Sequence, residues 1–228
     1  MKVELVVFDM AGTTVVDEGA VNKAFSKALT KSGYPVPVPA VDHVMGYRKI
    51  EAINMLLKEF YPADAGDLAL AQTIHEKFLD SMKDFYLHTP IAALPFAAEL
   101  FALLHQHHIK VALDTGFSKD ITSIILSQLQ WLETGLVDCV RSSDEVPQGR
   151  PQPYMIQAIM KELKLTDVSR VVKIGDTEVD INEGRNAGCG LVIAVTTGSY
   201  SRTELEKYSP DHTIDSLQEV PALLNLDA

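Results

Sequence analysis

Short, β-branched apolar runs recur along the chain at Val3–Phe8, Ile109–Leu113, Leu136–Val140, Val171–Ile174 and Leu191–Val195. Each has the unbroken apolar character of a strand covered on both faces, as in a parallel sheet. Between the runs the apolar positions change to a helical period. Val21, Ala24, Phe25, Ala28 and Leu29 share one helix face; Ile50, Ile53, Leu57 and Phe60 share another, and Met155, Ile156, Ile159 and Leu163 a third. Strands alternating with helices predict an α/β fold: a Rossmann-like, open parallel sheet wound with right-handed crossovers.

The spacing is uneven. About a hundred residues separate the first two strands, far beyond the ~12 that a crossover helix needs. Residues 16–88 read as helices only, punctuated by Pro37, Pro39 and Pro62 and closed off by Pro90 just beyond. They are expected to form an α-helical insertion over the end of the first strand, leaving residues 1–15 and 89–228 as the α/β core.

Composition narrows the function classes. Among 228 residues, 46% are hydrophobic and 22% charged, ordinary for a globular protein. The net charge is -11, with acids spread along the chain. A nucleic-acid surface needs a basic stripe and is not expected. An anionic ligand would need a local cation against this field, which directs attention to a metal site. Cys139 and Cys189 are too few for a disulfide framework and read as reduced thiols. The opening MKVELVVF is too short an apolar run for a signal peptide, and no window reaches the ~20 apolar residues of a spanning helix. A cytoplasmic location without membrane or nucleic-acid partners is expected, and a homodimer is compatible with the sequence.

Polar residues gather where the strands end. Asp9 follows the first run, Thr115 and Gly116 the second, Arg150 the third, and Asp176 and Asp180 the fourth in KIGDTEVD. In a parallel sheet these ends share one edge, the edge where open α/β folds bind ligands. One aspartate after a strand is usually a cap or turn residue, but four such segments together are hard to obtain by chance. Three carboxylates repel unless a cation sits among them, and Mg²⁺ suits a few carboxylates with water and substrate oxygens. Thr115 offers a hydroxyl, Gly116 a close backbone N–H, and Arg150 a positive charge for a phosphoryl group. Asp9 can attack phosphorus to give an aspartyl-phosphate. No G-x-x-x-x-G-K-[ST] loop is present.

FDMAGTTV, MGYRKI, DTGF, GRPQPYM and IGDTEVDINEGRNAG together resemble the haloacid dehalogenase superfamily, and within it the phosphonatase (phosphonoacetaldehyde hydrolase) branch. The resemblance covers nearly the whole chain. It implies a helical cap over residues 16–88, Mg²⁺ as cofactor, and a small organophosphonate or organophosphate substrate. It further implies Asp9 as nucleophile and metal ligand, with Asp176, Asp180 and the Ala11 carbonyl on the metal. Thr115, Gly116 and Arg150 would hold the phosphoryl group, Lys49 would act from the cap, and Met45 and Gly46 would contact substrate.

Position 11 is informative. Most phosphatases of the superfamily carry there a second aspartate that protonates the leaving alkoxide, help worth ~10²–10⁴ in rate. Ala11 has no proton to give. Cleaving a carbon–phosphorus bond needs an electron sink instead, and a lysine imine formed with a substrate aldehyde is one. Lys49 shares a helical row with Ala52, Ile53, Leu56 and Phe60, whereas Arg48, Glu51, Asn54 and Lys58 form the polar face. Two readings stand: a desolvated amine with lowered pKa, or a side chain that snorkels to water. Three positions depart from the phosphonatase pattern, with Ala52 in place of a histidine, Phe117 of a tyrosine and Ala20 of a cysteine. A phosphatase without imine chemistry, and a non-catalytic phospho-ligand binder, are the alternatives.

The remaining polar residues receive plainer readings. Lys173 is expected as a solvated edge side chain, and His105, His107 and His108 as a solvated helix face. Glu183 and Asn186 either steady the acidic loop or cap a helix before Gly188. Phe101 and Trp131 are assigned to the core.

Overall fold

The computed structural model describes residues 2–226. Six strands, β1 (Leu5–Asp9), β2 (Lys110–Thr115), β3 (Cys139–Ser142), β4 (Val171–Gly175), β5 (Leu191–Val195) and β6 (His212–Ile214), form one sheet in the order β3-β2-β1-β4-β5-β6. Every pairing is parallel. The central β1 is buried along its whole length, because side chains on both of its faces are apolar. Val6 and Phe8 pack into one layer and Leu5 and Val7 into the other, the two-residue alternation of a strand.

Four helices make up the insertion that follows β1: α1 (Ala20–Lys31), α2 (Val38–His43), α3 (Lys49–Phe60) and α4 (Leu68–His88). They bury their own apolar faces together, with Phe25 of α1 edge-on to Phe78 of α4 at 5.4 Å and Ile53, Leu56 and Leu57 of α3 buried beside them. The chain enters and leaves this insertion through one narrow ribbon. There the Val16 N–H donates to Ala92 O (3.0 Å) and the Leu94 N–H to Thr14 O (2.8 Å). The remaining helices cover the sheet: α5 (Ala97–Gln106), α6 (Lys119–Leu129), α7 (Tyr154–Glu162), α8 (Glu178–Ala187), α9 (Arg202–Glu206) and α10 (Val220–Leu223). Among the described residues no helix is long and apolar enough to cross a membrane.

Two strands differ from expectation. The third begins at Cys139 rather than Leu136, because Val137 turns back to bond Trp131 O before the chain joins β2. The short β6 escaped detection, since three residues with an exposed His212 carry no readable period. Phe101 and Trp131 are core residues as expected, with ring centroids 5.1 Å apart and Phe8 at 5.2 Å from Phe101.

This aromatic stack fastens α5 to the sheet. Phe101→Ala should lower unfolding stability by about 3–5 kcal/mol, through lost burial plus a cavity. Denaturant unfolding measures it, and a loss under about 1 kcal/mol would mean that the stack is not what holds α5.

Candidate active site

Asp9 is the last residue of β1, and Thr115 the last of β2. The ladder sets Asp9 directly beside Asp114. After β4, Gly175 leads into Asp176, and α8 opens on a capping box in which Asp180 accepts the Thr177 N–H at 3.2 Å. One Asp180 oxygen is therefore committed to the helix end, and the other turns toward Arg150 and Lys173. Asp176 accepts from the Thr13 hydroxyl at 3.3 Å and the Ser199 N–H at 2.7 Å. Arg150 is buried, donating to Asp9 Oδ1 at 2.6 Å and to Asp180, with Asp114 at 3.6 Å.

Lys49 arrives from the insertion. It opens α3 and is 4% exposed, so it does not snorkel. Its ammonium donates to the carbonyls of Met45 and, at 3.2 Å, Tyr47. Burial above all, and then the charge of Arg150, bring its pKa down to about 7. The positive end of α3 acts in the same direction.

Beside the cleft, the turn Met45–Tyr47 brings the insertion's backbone against the core. A Cβ on Gly116 would lie 3.0 Å from Tyr47 O and 3.1 Å from Gly46 O. A Cβ on Gly46 would collide with Thr177 and Val179. Neither position has room for a side chain, which is how the insertion's backbone approaches both core loops. The Tyr47 hydroxyl adds a bond to Glu178 at 2.8 Å. Asp9, Ala11, Met45, Gly46, Lys49, Thr115, Gly116, Arg150, Asp176 and Asp180 consequently line one cleft, holding roughly 370 Å³ of empty space. No residue singled out for the site lies elsewhere.

The charges are unequally compensated. Burial raises the Asp9 pKa to about 6, against the pull of Arg150. Burial, and next the charge of Asp9, push Asp176 well above the usual carboxylate range. Asp180 lies below it, because Arg150 and Lys173 together outweigh the effect of burial. Asp9, Asp114 and Asp180 bring carboxylate oxygens within 4.8 Å of one another, but Arg150 and Lys173 already stand among those three. The deficit of positive charge is between Asp9 and Asp176. An oxygen-only donor set with surplus negative charge fits a hard divalent cation there.

Two members of the site were not legible in the sequence. Lys173 is fully buried rather than solvated: β4 lies inside the sheet, and α8 covers the face that carries this side chain, with Gly184 packed against its stem. It pairs with Asp114, with Asp180 at 3.2 Å and with Glu183 at 3.3 Å. Asp114 hid in the apolar run of β2 in the same way. The available signal was a lone lysine and a lone aspartate inside two strands that feed the same edge. Glu183 is buried in this network, and Asn186 donates to Pro151 O at 2.8 Å, steadying the loop after Arg150. His105 is not solvated but bonds Asp138 at 2.8 Å, a bond between α5 and the chain entering β3.

Replacing Lys173 by Met should cost about 3–5 kcal/mol of stability, because Asp114 and Asp180 lose a buried counter-charge. Without it the folded-state pKa of Asp180, which Arg150 and Lys173 hold down against burial, rises, so the loss should be smaller at pH 5 than at pH 8. Chemical denaturation at the two pH values tests this; a pH-independent loss would point to packing instead.

The sequence matches the haloacid dehalogenase-like hydrolase family over residues 3–188. It is 32% identical over 221 residues to a phosphonoacetaldehyde hydrolase of Bacillus cereus, covering 92% of this chain and 83% of that protein. Among solved structures, a phosphonoacetaldehyde hydrolase-like protein from Oleispira antarctica superposes with a TM-score of 0.86 at 22% identity, covering 99% of this chain and 92% of that one. A putative phosphoglycolate phosphatase from Lactobacillus delbrueckii gives a TM-score of 0.76 at 21% identity, covering 98% and 99%. These two share the fold. The chain belongs to the haloacid dehalogenase-like hydrolases, in their phosphonatase-like branch.

Proposed function

We propose that this hydrolase cleaves the carbon–phosphorus bond of a small carbonyl phosphonate of the phosphonoacetaldehyde type, with Mg²⁺ as cofactor. The observation that carries the reading is Lys49, an amine buried in the same cleft as Asp9 with a pKa near 7. Residues 16–88 would act as a cap on the core of residues 1–15 and 89–228. The name of the curated relatives supports the same reading.

The Lys49 amine adds to the aldehyde carbon, water leaves, and a protonated imine results. Asp9 attacks phosphorus with Oδ2, the oxygen that Arg150 does not hold. The carbon–phosphorus electron pair passes into the imine, giving an enamine and an aspartyl-phosphate. No alkoxide departs, so no acid is needed at Ala11. Protonation of the enamine carbon and hydrolysis of both covalent links release acetaldehyde and phosphate and restore Lys49 and Asp9. The sum is phosphonoacetaldehyde plus water giving acetaldehyde plus phosphate. Thr115, Gly116 and Arg150 hold the phosphoryl oxygens as charge develops, and Met45 and Gly46 bound the aldehyde end. Mg²⁺, held by Asp9, Asp176, Asp180 and the Ala11 carbonyl, would offset the charge of nucleophile and phosphonate.

One observation favours a second reading. Ala52 is buried one helical turn from Lys49 and carries no proton, so imine formation must pass its protons through water. A phosphatase acting on a small organophosphate would need no such carrier.

Borohydride added with phosphonoacetaldehyde should fix substrate carbon irreversibly to Lys49, and Lys49→Arg should abolish the label. The free-amine fraction rises through pH 7, so trapping should speed up about tenfold between pH 6 and pH 8 and then level off. Undiminished hydrolysis by Lys49→Arg would sink the imine and leave the phosphatase reading. Asp9→Asn should lower turnover by on the order of 10³-fold or more on any substrate; phosphate-release assays decide, and wild-type rates in this variant would remove Asp9 as nucleophile.

A further inference from the structure

Beside the cleft lies a second chamber with roughly 620 Å³ of empty space. Lys49, Gly116 and Phe117 are walls of both. The far walls come from α4, with His75 and Phe78, and from the opening of α6, with Ser118 and Asp120. A two-carbon aldehyde attached to a phosphonate has no use for this additional room.

The charged groups of the chamber are not equally engaged. Asp120 is paired with Lys83 at 2.8 Å, and Asp144 accepts the Lys119 N–H at 2.9 Å. Arg48, which precedes Lys49, has no hydrogen bond or ion pair from its guanidinium among the described residues. Its charge is felt at His75, whose pKa falls below the usual value through burial and then through Arg48. The Ser118 hydroxyl is buried without a partner, although Ser118 occupies the N-cap of α6. An unpaired planar cation and an orphaned hydroxyl, in a chamber that opens beside an amine, match a carboxylate.

We infer that the substrate carries a carboxylate beyond its carbonyl carbon, and that Arg48 receives it in this second chamber. The inference rests on the carbonyl-phosphonate reading and names the substrate class within it. Phosphonopyruvate has the required pattern: a phosphonate, one methylene, a ketone and a carboxylate. The chemistry is unchanged. Lys49 forms the imine at the ketone with loss of water, the carbon–phosphorus pair enters that imine, and hydrolysis yields pyruvate and phosphate from phosphonopyruvate and one water. Arg48 touches only the carboxylate and fixes which carbonyl compounds enter.

The test is calorimetric titration of phosphonopyruvate and of phosphonoacetaldehyde, each with Mg²⁺, into Asp9→Asn protein, which binds without turning over. Phosphonopyruvate should bind about tenfold or more tightly than phosphonoacetaldehyde, as a charge-assisted hydrogen bond implies. Arg48→Leu should erase that preference and Arg48→Lys should keep part of it, with circular dichroism confirming that both variants fold. Equal affinities, or a preference that survives Arg48→Leu, would overturn the inference while leaving the carbonyl-phosphonate reading in place. Failure of both probes to bind would overturn the two together.

Discussion

The compensation of buried carboxylates at the sheet's edge is the constraint on which the rest of this structure depends. Asp9, Asp114, Asp176, Asp180 and Glu183 are all buried, at or just past strand ends or along α8. Withdrawing one such charge from water costs several kcal/mol even after relaxation. Two buried cations, Arg150 from the loop after β3 and Lys173 from within β4, offset most of that cost. Burial, and then the neighbouring Asp114, push Glu183 well above the usual carboxylate range. What remains uncompensated is confined to Asp9 and Asp176. The protein thus concentrates unpaired negative charge beside the end of β1, although the net charge of -11 is spread along the whole chain.

This arrangement also explains which parts of the site could be read from the sequence. Asp9, Thr115 and Asp176 close or follow apolar runs, so polarity appears against a hydrophobic background at the position where a strand must stop. Arg150 was placeable because its loop follows the third run, even though that strand begins three residues later than its composition suggests. Asp114 and Lys173 sit inside strands, where a polar residue is ordinarily taken as facing water. Their burial follows from register: Asp9 stands beside Asp114 on one side, and Val7 beside Lys173 on the other. Register is a property of the assembled sheet, and no single strand contains it. Lys49 lay between these cases. Its apolar row was visible, but its burial depends on the turn at Met45–Tyr47 closing against Gly116.

That turn divides labour between two parts of the chain. The core contributes the carboxylates, on strand ends or along α8, and Arg150 from the loop after β3. The insertion contributes an amine, held by carbonyls of its own backbone. On the reading proposed here, phosphorus is handled by the rigid part and carbon by the added part. Changes such as Ala52 and Arg48 can then retune the carbon side without disturbing the charge balance below.

The ribbon at Thr14–Val16 and Ala92–Leu94 has an evolutionary consequence. Both ends of the insertion meet within one pair of backbone hydrogen bonds, so the core sees a loop that is already closed. The entropy of closing a loop grows only with the logarithm of its length, about 0.6 kcal/mol for each doubling. Four helices can therefore be exchanged for more, fewer or different ones at little thermodynamic cost to the sheet. The fold resembles a tool handle with a standard socket: the charge-balanced edge of the sheet can stay as it is while what the socket holds is refitted.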